Sequence, residues 1–91
     1  MSSVAFRIFA TLVASLEENQ QNGQIITAQI REDYNARPDN GTVYSVLLCH
    51  YDGTETEHRF VFFDEEESEA YSIVRRSSFF KEWDYRDYLY D

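Results

Sequence analysis

Cysteine, proline, glycine and lysine are all scarce in this chain of 91 residues, and each scarcity excludes a kind of chemistry. With Cys49 as the only cysteine, no intramolecular disulfide can form, and a four-cysteine zinc site is ruled out. Such cysteine usage fits a reducing cytoplasm. The three glycines stand apart at positions 23, 41 and 53, so no Gly-rich loop is available to cradle a phosphate. Lys81 is the single lysine, and the bases total eight against seventeen acids, a formal charge of −9. A face rich in Lys and Arg with interleaved aromatics is therefore missing, and direct binding to nucleic acid or to an anionic membrane is not expected. Long apolar runs are also missing. The stretch from Val4 to Leu16 is broken by Arg7, Thr11 and Ser15 and is too short to span a bilayer. It lacks the basic region and small-residue cleavage site of a signal peptide.

What the chain has instead is rings and acids. Hydrophobic residues make up 43% and aromatics 16%, too much for a disordered chain, so residues 1–91 are expected to fold as one small domain. Seven Phe, seven Tyr and one Trp predict a core filled by large rings more than by aliphatics.

Val4, Ala5, Ile8, Phe9, Leu12, Val13 and Leu16 recur at steps of three and four, which predicts a helix over about residues 3 to 20. Ser2 or Ser3 would cap it and Gly23 would stop it. "QIITAQIREDY" reads as a strand with Ile26, Ala28, Ile30 and Tyr34 on one side. "NARPDNG" is a polar turn cluster, and "TVYSVLLCHY" and "TETEHRFVFF" are strands joined at Asp52–Gly53. A two-residue turn there would set Leu47 opposite His58, and Val43, Leu47, Cys49, His58, Phe60 and Phe62 on the core face. Tyr44, Val46, Leu48, Val61 and Phe63 would then lie on a half-wet face. "DEEESEAYSIVRR" predicts a helix with Asp64 as cap and Glu67 completing a capping box, and with Ala70, Ile73 and Val74 inward. Phe79, Phe80 and Trp83 open a second short helix or an irregular aromatic segment. The expected fold is α+β, in the order α-β-β-β-α-α: an N-terminal helix, a three-stranded, mostly antiparallel sheet and one or two C-terminal helices. Its expected core is Phe6 or Phe9, Ile8, Leu12, Leu16, Ile26, Ile30, Val43, Leu47, Phe60, Phe62, Ile73 and Val74.

No constellation of catalytic residues emerges. In the register just given Cys49 and His58 share a face diagonally, but that face is the expected core, where a lone Cys acts as a small hydrophobe. His50 points to the other face, so the two histidines would not share a metal ion. Asp64, Glu65, Glu66, Glu67 and Glu69 fan around a helix start instead of converging, and "DEEESE" lacks the alternating ligands and glycine of a calcium loop. The expectation is a non-enzyme with no catalytic residues, no metal and no cofactor.

The acids themselves are the remaining signal. Residues 1–30 carry a net −1, residues 31–63 a net −3 and residues 64–91 a net −5, so over half the excess sits in "DEEESE" and "EWDYRDYLYD". A row of carboxylates on a small domain can imitate duplex phosphates, and proteins that bind nucleic acid offer basic grooves for such a row. In size, charge and its Tyr/Asp/Glu habit the chain resembles the DNA-mimic inhibitors that phages direct against restriction, CRISPR or repair enzymes. That resemblance implies a cytoplasmic protein partner with a basic, nucleic-acid-binding surface. The partner-binding residues read from the sequence are Glu65, Glu66, Glu67, Glu69, Glu82, Asp84, Tyr85, Asp87 and Tyr88. The alternative is an interaction subunit or homodimer that uses exposed aromatics, either Tyr44, Val46, Leu48, Val61 and Phe63 or Trp83, Tyr85, Tyr88 and Leu89. In either case Cys49 is structural. Cys49→Ala or Cys49→Ser is expected to leave binding unchanged with a modest drop in thermal stability, and a well-folded variant that has lost all function would reopen a thiol mechanism.

Overall fold

The computed structural model describes residues 3–33 and 41–80. Tyr34, expected to end the first strand, residues 35–40 of the predicted turn cluster, and the segment from Lys81 to Asp91, which includes Trp83, lie outside the described residues. The elements follow in the order α1 (Val4–Gln21), β1 (Thr27–Glu32), β2 (Gly41–Cys49), β3 (Glu55–Phe63) and α2 (Asp64–Arg75). The three strands form one antiparallel sheet in the order β1-β2-β3. Both helices pack on the same face of it, an α+β arrangement.

Local chemistry accounts for both ends of α1. Ser3 is the N-cap, and its Oγ accepts the Phe6 N–H at 3.1 Å. At the other end Gly23 takes a φ of +84°, a left-handed conformation that suits glycine. Its N–H donates to the Gln20 carbonyl, and the Gln24 N–H donates to the Asn19 carbonyl at 2.9 Å. Those two bonds satisfy carbonyls that the last turn would leave unpaired, a Schellman ending.

The β2–β3 turn has three residues, where a two-residue turn was expected. His50 N–H donates to the Thr54 carbonyl at 2.9 Å, enclosing Tyr51, Asp52 and Gly53, and Gly53 sits at φ +88°. A three-residue loop that closes on a left-handed glycine is a common hairpin solution. The Asp52 carboxylate holds the loop by accepting from the Thr54 Oγ–H at 2.6 Å and the Thr54 N–H at 2.9 Å. The Thr54 hydroxyl, then the Thr54 amide, hold the Asp52 carboxyl below its ordinary value. Its contribution to stability is thus present above the ordinary carboxylate range and is lost as pH falls through the lowered value.

One extra loop residue moves the register by one, which exchanges the faces of β2 relative to β3. Val46 stands opposite His58 and Tyr44 opposite Phe60. The face under the helices therefore carries Ala28, Ile30, Tyr44, Val46, Leu48, Phe60 and Phe62, and the reverse face carries Leu47, Cys49, Val61 and Phe63. Phe60 and Phe62 point inward as expected. Leu47 is half-buried on the reverse face, and Val43, although buried, is on the reverse face too. Tyr44 and Val46 are core residues, at 1% and 0% exposure.

Phe9 is the centre of the core. Fully buried, it meets Phe62 at 4.9 Å and Phe60 at 5.1 Å edge-on, and Tyr44 at 5.7 Å, while Phe6 meets Phe62 at 5.7 Å. Such edge-on ring pairs add to the burial energy. Removing a buried Phe ring typically costs about 3–5 kcal/mol, a large share of the roughly 5–15 kcal/mol that holds a domain folded. Val13, Leu16, Ile25, Ala70 and Val74 complete the core. Ile8 and Ile26 do not join it, being 55% and 45% exposed. Two bulky rings set the inward direction of α1 at Phe6 and Phe9, which rotates Ile8 outward. Ile25 takes the place expected for Ile26 because its N–H is drawn to the Asn19 carbonyl in the turn that follows α1.

The junction of β3 and α2 has no loop. The N-cap is Phe63 without a side-chain bond, and Asp64 redirects the chain at φ +55°, so the expected Asp64 capping box is not formed. Past α2 the described residues end in a turn, and most of the expected second short helix or irregular aromatic segment lies outside the described residues. Ser77 Oγ accepts the Phe79 N–H, the Phe79 carbonyl accepts the Ile30 N–H at 3.0 Å, and Phe80 bridges Ile30 in parallel. Pairing with the outer edge of β1 satisfies backbone groups there, as edge strands require. Gly53→Ala is expected to lower stability in urea denaturation by about 1–2 kcal/mol, the cost of a Cβ in the left-handed region. By the same argument Asp64→Val should lower it while Asp64→Gly does not, and equal stability of all three with wild type would contradict these two left-handed positions.

Candidate acidic binding surface

The four predicted contacts at the start of α2 separate into two pairs. Glu66 and Glu67 are half-buried and turn back onto the protein, whereas Glu65 and Glu69 are exposed. Glu66 Oε2 accepts the Ser3 N–H at 2.7 Å and Glu66 Oε1 accepts the Ser3 Oγ–H at 3.0 Å. Glu67 Oε1 accepts the Thr42 Oγ–H at 2.5 Å. Among the described residues, the sequence-predicted contacts thus divide into two with intramolecular roles and two facing solvent. Glu82, Asp84, Tyr85, Asp87 and Tyr88 lie outside the described residues.

The Glu66–Ser3 contact has a physical cause that sequence reading missed. α1 and α2 begin at the same end of the molecule, where Ser3 meets Glu66. They remain side by side to the other end, where Val13, Ala14 and Glu17 share a cleft of about 260 Å³ with Ile73 and Phe79. Two parallel helices bring two positive dipole ends together. α1 has no acid in its own first turn, so Glu66 of α2 serves both helices. A capping pattern within one helix is visible in sequence, but a cap lent across 63 positions is not.

The other chemical candidates also move with the register. Cys49 is half-buried on the reverse face between Thr27 and Glu55, away from His58, which faces the helix side. His50 lies on the helix side as well, its Nε2 bonded to Thr56 Oγ1 at 2.8 Å, so the histidines share a face, contrary to expectation. The proposed half-wet face loses Tyr44, Val46 and Leu48 to the core. Val61 and Phe63 remain exposed on the reverse face, where Arg59 pairs with Asp33 at 2.8 Å. Among the described residues no helix is long and apolar enough to cross a membrane.

No protein-family model, no curated protein and no solved structure matches the chain.

The double role of Glu66 is directly testable. Ser3→Ala and Glu66→Gln are each expected to cost about 1 kcal/mol in thermal or urea unfolding, the usual worth of a helix cap. The double variant should cost less than the sum, because both changes disturb the bond from Ser3 Oγ–H to Glu66 Oε1, although the Ser3 N–H bond to Glu66 survives Ser3→Ala. Strict additivity would show that Ser3 and Glu66 do not act together.

Proposed function

We propose that this is a non-catalytic, cytoplasmic binding protein whose acidic surface occupies a basic site on a nucleic-acid-handling protein. The observation that carries this reading is the pair Glu65 and Glu69. They sit one turn apart on the exposed side of α2, with their Cβ atoms about 6 Å from each other by helix geometry. Like charges at that spacing weaken a helix by a few tenths of a kcal/mol. Glu66 makes its capping contact at Ser3 of α1, and the dipole effect fades within one turn, so Glu69, beyond the first turn of α2, brings the fold no benefit of that kind. A pair of carboxylates kept at this cost is suited to a partner rich in Lys and Arg. The remaining sequence-predicted contacts, Glu82, Asp84, Tyr85, Asp87 and Tyr88, would extend the same charge.

The second reading, an interaction subunit with an aromatic anchor, draws support from Phe63 and Val61, which are exposed on the reverse sheet face. The two readings differ in how salt acts. Screening weakens a contact between exposed charges and leaves an apolar contact largely intact.

The test is capture of partners from the native host on immobilised wild-type protein and on a Glu65→Lys, Glu69→Lys variant. A partner is expected that is held at low salt, released at high salt, displaced by duplex DNA and lost by at least tenfold in affinity with the folded variant, given about a kcal/mol or more per close charge pair. Capture that is indifferent to DNA, to salt and to the two reversals would sink the acidic-surface reading.

A further inference from the structure

Among the described residues the outer edge of β3 has no strand paired to it. In an antiparallel pair alternate residues direct their N–H and C=O groups to the neighbouring strand. The His50-to-Thr54 bond marks the even-numbered positions of β3 as those joined to β2, so the backbone groups of Glu55, Glu57, Arg59, Val61 and Phe63 point away from the sheet. The same alternation holds on the opposite edge, where the outward N–H of Ile30 is taken by Phe79. β1 thus has cover that β3 lacks among the described residues.

The surface beside this edge is apolar. Phe6 and Phe9 hold α1 over Phe60 and Phe62 of β3, while Glu67 and Thr42 tie α2 over the β1–β2 side. Ala14 and Glu17 flank α1 on its α2 side. At 3.6 residues per turn, Ala5, Ile8 and Leu12 fall on the opposite flank, toward the open edge. Ala5 and Ile8 are exposed and Leu12 is half-buried.

We propose that a second copy of the chain covers this edge, its β3 pairing antiparallel with the first about a two-fold axis at His58. The two sheets then become continuous and the two α1 helices approach through Ile8 and Leu12. Charge selects the register. An axis at His58 places Glu57 opposite Arg59 of the other copy, twice. An axis at Glu57 or at Arg59 would place that residue opposite its own like charge, which is unfavourable. Arg59 gives one nitrogen to Asp33, and a guanidinium has further N–H groups to offer Glu57. Charged residues on an edge strand often act only to repel other strands. Here the signs are self-complementary, and the apolar flank of α1 is surface that protection alone does not need.

The test is a register-specific crosslink, made in a Cys49→Ser background at moderate salt so that the repulsion between two −9 chains is screened. Across the axis the two residues at 58 form a pair without backbone bonds, with Cα atoms about 4.5 Å apart, inside the range for a disulfide. His58→Cys is therefore expected to give a covalent dimer on mild oxidation. Thr56→Cys should give little, its two copies lying roughly 13 Å apart along the strands. Glu57→Arg combined with His58→Cys should reduce the dimer yield severalfold, and adding Arg59→Glu should restore it. A wild-type chain that stays monomeric by light scattering at its highest soluble concentration overturns the proposal. So does crosslinking at 58 no better than at 56, or a charge swap that fails to restore the yield.

Discussion

The register of the β2–β3 hairpin is the constraint on which the rest of this fold depends. Three loop residues, closed by a left-handed Gly53 and held by Asp52, place Tyr44 and Val46 on the same face as Phe60 and Phe62. That face receives Phe6 and Phe9, and the resulting group of rings decides how α1 lies on the sheet. Shifting the strands by one position would turn Tyr44 and Val46 to the reverse face and leave Phe9 without its Tyr44 neighbour. A small domain has little other buried surface with which to offset such a loss.

The helices impose a second constraint, an electrostatic one. Because α2 leaves β3 without a loop and returns over the sheet, it starts where α1 starts. The two N-termini need negative charge, α1 supplies none in its first turn, and Glu66 supplies it from α2. Part of the acidity that makes the sequence look like a surface for a basic partner is thereby explained by folding. Of the predicted contacts on α2, Glu65 and Glu69 are left facing solvent, Glu65 within the first turn and Glu69 beyond it, with the reverse sheet face offering Val61 and Phe63 as a separate, apolar feature. A functional reading built on net charge alone would have merged these contributions.

The sequence by itself determined the element order, the helix from Ser3 to the glycine stop at Gly23, the strand positions and the inward stripe of Ala70, Ile73 and Val74. Each of those rests on a local cause: a cap, a turn residue, or a 3.6- or 2-residue period that needs no knowledge of what packs opposite. Only the tertiary structure decided which face of β2 is buried. "TVYSVLLCHY" is apolar at both odd and even positions, so its own pattern is ambiguous, and a single loop residue settles the matter. Only the tertiary structure, too, could set Ile8 and Ile26 outside the core and Ile25 within it, since hydrophobicity does not distinguish them: the bulk of Phe6 and Phe9 turns Ile8 outward, and the turn after α1 sorts Ile25 from Ile26. The acidic run shows the same division. Its existence and its place at a helix start are legible in "DEEESE", but the sorting of Glu66 and Glu67 inward from Glu65 and Glu69 outward depends on Ser3 and Thr42, distant residues that only folding brings within hydrogen-bond reach.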